Sequence, residues 1–173
     1  MRVLLPSCLV GVAACILVAT PLARADDCAM VKAASIAQIK VPHSDVHLTI
    51  PPGKAPQRID MVFKDDKVYT RLNGAWSSMA FPAQDQIDAL NAAAARAGPQ
   101  TYTCRKVGSE SVNGESASVL ASHGDAHGKV TDSRTWLSDK TGLPLKSEVH
   151  LSNGTVISDE FRYTDVDVPP GAK

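Results

Sequence analysis

The sequence predicts an α+β protein with one curved antiparallel β-sheet covered by one or two short helices. Two-residue periodicity, interrupted by tight-turn signals, predicts the strands. A thin supply of large apolar side chains predicts a single sheet, not two packed face to face. Leu, Ile, Val and Phe provide 30 of the 148 residues after position 25, and the whole chain has only three Phe, three Tyr and two Trp.

The chain opens with Arg2, runs apolar from Val3 to Leu22 and ends that run in Ala23-Arg24-Ala25. A basic start, an apolar stretch and a small-x-small end mark a secretory signal peptide. Residues 1–25 are therefore read as a signal cleaved after Ala25, and 26–173 as a single domain. The alternative is a lipobox at Val12-Ala13-Ala14-Cys15, with acylation of Cys15. The intact chain has 18 basic and 18 acidic side chains; without Arg2 and Arg24 the balance is 16 to 18, a net charge of −2. That balance excludes the basic face a nucleic-acid binder needs. No later segment is long and apolar enough to span a bilayer.

Export sets the cysteine chemistry. Cys8 and Cys15 leave with the signal, so Cys28 and Cys104 remain and are read as one disulfide. Its loop restricts the unfolded chain by about 4 kcal/mol in the entropy model.

Residues 28–39 read as a short helix, with Met30, Val31, Ala34 and Ile36 on one side, Asp26 or Asp27 as its cap and Pro42 as its latest end. Val46, Leu48 and Ile50 then alternate with His47 and Thr49. Pro51–Pro56 is a loop that no strand crosses. Ile59, Met61 and Phe63 alternate with Arg58, Asp60 and Lys64. Asp65-Asp66 and Asn73-Gly74 turn the chain into 67–72 and 76–79. Pro82–Ala97 is a helix with Ile87, Leu90, Ala94 and Ala97 in register, stopped by Gly98-Pro99. Five strands follow, at 101–109, 115–123, 129–138, 145–152 and 155–163. Between them come Asn113-Gly114, a loop at Gly124–Gly128, a turn at Asp139–Gly142 and Asn153-Gly154. Pro169-Pro170-Gly171 reads as a frayed tail.

The chemistry-bearing residues form no recognised catalytic pattern. There is no G-x-S-x-G and no glycine-rich phosphate loop, and Asp65-Asp66 suits a turn better than a carboxylate pair. His43 and His47, and His123 and His127, stand four apart. Pro42 and the strand pattern keep the first pair off a helix, and the second brackets a glycine-containing loop. No metal site and no cofactor are expected, and the chain reads as a non-enzyme.

Two segments carry a family resemblance. One is Tyr69-x-Arg71-x-Asn73-Gly74-x-Trp76, followed by a helix. The other is Trp136-Leu137-Ser138-Asp139-Lys140-Thr141-Gly142-Leu143-Pro144-Leu145, a turn between two late strands. Together with Cys104–Glu115 and the order of elements, they resemble the LolA-like superfamily of outer-membrane lipoprotein carriers and related periplasmic lipid-handling proteins, as a divergent member. The resemblance implies an open half-barrel closed by a helical lid, in a periplasmic or secreted protein that shelters acyl chains.

On that footing the expected ligand is a lipid or another amphiphile, held without chemistry in the concavity, possession of a packed interior and an envelope protein partner being the competing reading. Alternation nominates Ile59, Met61, Phe63 and Trp76 as lining from the first strands. Ile87 and Leu90 join from the helix, and Trp136, Val149, Leu151 and Phe161 from the last strands. A one-residue slip exchanges each strand's set for its other face.

Overall fold

The computed structural model describes residues 25–96, 101–126 and 129–172. The signal-peptide and lipobox expectations concern residues 1–25, and all but the last of these lie outside the described residues. Nine strands form one antiparallel sheet. They are β1 (His43–Ile50), β2 (Gln57–Lys64), β3 (Lys67–Leu72), β4 (Ala75–Ala80), β5 (Thr101–Val112), β6 (Glu115–Ala126), β7 (Lys129–Ser138), β8 (Pro144–Leu151) and β9 (Val156–Arg162). Helix α1 (Ala25–Ile39) precedes them and α2 (Ala83–Arg96) separates β4 from β5.

The chain enters the sheet at its centre with β1 and steps outward by hairpins to β4 at one edge. It then crosses by α2 to the opposite edge and returns from β5 to β9, which pairs with β1. The order β4-β3-β2-β1-β9-β8-β7-β6-β5 leaves β4 and β5 unjoined, so the half-barrel is open. Left-handed backbone at Asp65, Asp66, Asn73, Gly74, Asn113 and Gly114 makes three of the hairpins tight, as their sequences require.

Register defines the two faces, because directly paired residues project to the same side. Leu120, Thr135, Ser147, Asp159, His47 and Ile59 form one row across six strands. This is the helix-covered face: buried Leu120 and Leu137 pack against Ala34 of α1, with Val31 alongside. The disulfide between Cys28 and Cys104 (S–S 2.03 Å) fastens the start of α1 to β5 on the same side. Asp27 lies inside the first turn of α1, and its carboxylate accepts the backbone N–H of Lys106 at 2.9 Å, so it ties helix to sheet.

Two expectations need correction. The loop foreseen at Gly124–Gly128 is strand as far as Ala126, because Gly124 and Asp125 pair with β5 on one side and β7 on the other. Gly124 is where the Tyr102 ring crosses its neighbour; a Cβ there would stand 3.0 Å from Tyr102 Cδ2. The tail is not frayed: Pro169 is buried, and just before it Lys64 Nζ donates to the Val166 carbonyl at 2.8 Å. Asp66 does more than turn the β2–β3 hairpin. Its carboxylate accepts the N–H of Ala83 at 3.2 Å and its carbonyl accepts that of Phe81 at 2.7 Å, which anchors the entry to α2.

Candidate functional site

The covered face has a slot beneath the carboxyl end of α1. Its volume is about 180 Å³, and its walls are Gln38, Ile39, His43, Asp45, Phe63, Phe81 and Phe161. The rings are locked together. His43 stacks on Phe63 with centroids 4.4 Å apart, and Phe81 meets the other part of that cluster edge-on, 5.1 Å from Phe63. A neighbouring cleft of about 220 Å³ shares Ile39, Phe63 and Phe81. Further along α1, Met30, Ala33, Ala34, Ala37 and Leu137 border a cleft of about 450 Å³.

The ten nominated lining residues divide. Register puts Ile59, Met61, Phe63, Val149, Leu151 and Phe161 on the covered face, all half-buried, and Phe63 and Phe161 border the slot. On α2, Ile87 is buried and Leu90 half-buried.

Trp76 and Trp136 are corrections. Both belong to one row on the opposite face, running Trp76, Arg71, Asp60, Val46, Glu160, Lys146, Trp136. Trp76 lies under the Arg71 guanidinium at 5.2 Å. Trp136 is buried against Ala117, Val119 and Leu145, its Nε1–H donating to Glu110 at 2.8 Å and the Lys146 ammonium lying 4.8 Å above its ring. A tryptophan in a strand is as useful on one face as on the other, so ring size alone did not indicate the side.

Phe81, His43 and Asp45 were missed as lining. The His43, Asp45, His47 alternation was a usable signal: it makes a polar row, and the register turns that row inward while Val46 and Leu48 face out. The His43 Nδ1–H donates to the Val41 carbonyl at 2.9 Å, and burial holds its pKa below the ordinary imidazole range against that bond. The ring is thus an uncharged part of an aromatic wall.

Asp45 is 6% exposed, and its Oδ1 is shielded from solvent without a hydrogen-bond partner. Burial first, and the nearby Asp159 carboxylate second, push its pKa up to about 8. Burial and the same Asp45 raise the Tyr163 phenol above its usual value; its O–H donates to the Pro144 carbonyl at 2.6 Å.

His47 Nδ1 meets Asp159 Oδ1 at 2.6 Å, and its Nε2 meets Thr49 Oγ1 at 3.1 Å. Hydroxyl, imidazole and carboxylate thus follow the order of a hydrolytic triad. β1 is paired on both sides here, however, so its amides serve the ladders and supply no oxyanion-stabilising pair beside Thr49.

His123 pairs with Asp132 at 2.7 Å on the other face, and His127 lies outside the described residues. The Trp136–Leu145 segment is a structural turn. Ser138 Oγ accepts the N–H groups of Lys140 and Thr141 and donates to Glu115, while Gly142 takes a positive φ of 72°. Asp139 accepts from Ser116 and Ser118, and those two bonds lead in holding its carboxyl below the usual range.

No helix among the described residues is long and apolar enough to cross a membrane. No protein-family model and no curated protein matches the chain. Solved structures do. The Pseudomonas aeruginosa MucA/MucB complex aligns with TM-score 0.54 at 18% identity, over 83% of this chain and 59% of that one. The Mycobacterium tuberculosis lipoprotein LppX aligns at 0.47 and 13% identity, over 82% of this chain and 97% of that one. A LolA superfamily protein from Nitrosomonas europaea aligns at 0.31 and 11%, over 83% and 94%. The likeness is one of fold: with the half-barrel solved in the MucA/MucB complex the chain shares an open, curved antiparallel sheet.

Proposed function

We propose that the chain is a non-enzymatic binding protein of the bacterial envelope, periplasmic or secreted, that holds a lipid or other amphiphile against the covered face of its half-barrel. The observation that carries this reading is the slot beneath α1, where Phe63, Phe81, Phe161 and Ile39 present apolar surface beside the carboxyl of Asp45. Each CH2 buried there contributes about 0.8 kcal/mol. The slot alone is smaller than the roughly 300–1,000 Å³ of common ligand sites. Its shared wall with the next cleft, through Ile39, Phe63 and Phe81, lets one acyl chain thread both when the Phe81 ring turns. α1 is the cover, hinged at the Cys28–Cys104 bond.

A second reading is a protein-interaction module with a filled interior and no bound lipid. The likeness to a half-barrel solved as a MucA/MucB complex favours it.

Native mass spectrometry of protein purified without detergent separates the two. The carrier reading expects adducts at lipid masses that disappear in Phe63→Asp and Phe161→Asp and persist in the outer-face variant Trp76→Ala. An apo mass, with no adduct regained on incubation with lipid extract, favours the interaction module.

A further inference from the structure

Asp45 is out of place for a residue that only builds a sheet. It stands on β1, a strand paired on both sides, with a carboxylate oxygen cut off from water and from every hydrogen-bond donor. A buried, unpartnered polar atom costs stability. His47 lies two residues along on the same face, and Asp159 lies directly across from His47. One ligating atom from each of the three fits within a mutual distance of 4.8 Å. Donors about 2.1 Å from a common ion stand roughly 3–4 Å apart, so small side-chain rotations bring all three onto one cation.

We propose that Asp45, His47 and Asp159 form a binding site for a first-row divalent cation, with Zn2+ the best match to one imidazole and two carboxylates. Such a site departs from the expectation of no metal site, because its ligands are not the histidine pairs. His43 is taken up by Phe63 and the Val41 carbonyl, and His47 acts with an aspartate 112 residues away.

The groups that orient the ligands are already in position. In the metal-free protein a proton lies between His47 Nδ1 and Asp159 Oδ1; the cation takes its place. The imidazole then keeps its proton on Nε2, which donates to Thr49 Oγ1 at 3.1 Å. Ser147 Oγ donates to Asp159 Oδ2 at 2.9 Å and fixes the second carboxylate. Metal-bound histidines and carboxylates are held by partners of this kind. Three protein donors leave at least one coordination position for water or an anionic group. The site does not depend on the amphiphile reading, and the protein can have either property without the other.

The test uses the full protein with its disulfide intact, stripped with a chelator and dialysed against Zn2+ alone. Bound metal is counted by elemental mass spectrometry. The expected result is one Zn2+ per chain at micromolar free metal, with affinity reduced about tenfold or more in Asp45→Asn, His47→Gln and Asp159→Asn. His123→Gln, which alters the exposed His123–Asp132 pair, retains full binding. Circular dichroism checks each fold, and half-exposed His47 provides the reading if Asp45→Asn does not fold. Absence of stoichiometric Zn2+, or binding that survives His47→Gln and Asp159→Asn, overturns the proposal.

Discussion

His43 lies face to face with Phe63, ring centroids 4.4 Å apart and planes 13° from parallel. The two residues are direct partners across β1 and β2, so the stack is set by register and not by side-chain choice alone. Phe63 also supports Phe81. Phe63→Ala therefore loosens both rings. Since Phe63 is half-buried, the expected cost is about 1–3 kcal/mol, read as a lower denaturation midpoint with little change in slope.

The disulfide is the main covalent hold on α1. Reduction, or the double variant Cys28→Ser with Cys104→Ser, frees the helix start, leaving Asp27 and the Ala34 contacts to keep it in place. The expected loss is about 2–4 kcal/mol. Hydrogen exchange should rise in α1 before it rises in β6 and β7; uniform exchange across the chain would contradict this order.

Asp66→Ala removes the carboxylate that meets the first amide of α2. A lost cap costs about 1 kcal/mol. Asp65→Ala, at the preceding turn position with a left-handed φ of 55°, serves as the comparison. Only the Asp66 variant should speed amide exchange at Ala83 and the residues after it.

Asp60 gives the clearest pH dependence. Partial burial raises its pKa, but the Arg58 and Arg71 guanidiniums, each forked onto one carboxylate oxygen, outweigh burial and hold it below the usual range. A carboxyl depressed in the folded state contributes fully above its unfolded pKa of about 3.9 and loses that contribution as pH falls through the folded value. The arginines are 58% and 44% exposed, so the contribution is modest. Asp60→Asn should cost about 0.5–1 kcal/mol at neutral pH, and the gap to the parent should close as acid protonates the parent's carboxyl.

Asp45→Asn should stabilise the metal-free protein, by about 1–3 kcal/mol, because an amide of the same shape replaces a carboxyl that burial disfavours. Thermal melts after chelation measure it. A destabilised variant would mean that Asp45 has a structural partner in solution.

The local pattern was enough to specify much of this protein. Alternation placed the strands, Asn-Gly and Asp-Asp placed the turns, and Pro82 marked the start of α2. Reading residues 1–25 as an export signal left two cysteines, and those two form the disulfide that the fold contains. These features depend on backbone preferences and on residue counts, which neighbours in sequence carry.

Which face each strand turns inward was left to tertiary structure. A strand has two equivalent faces until its partners' register and the covering helix make one of them the interior. Hence Trp76 and Trp136 went to the opposite face, in one row, while the polar set His43, Asp45 and His47 went beneath the helix. The pairing of β9 with β1 is equally invisible locally. It closes a contact between residues 112 apart, and it alone brings Asp159 to His47.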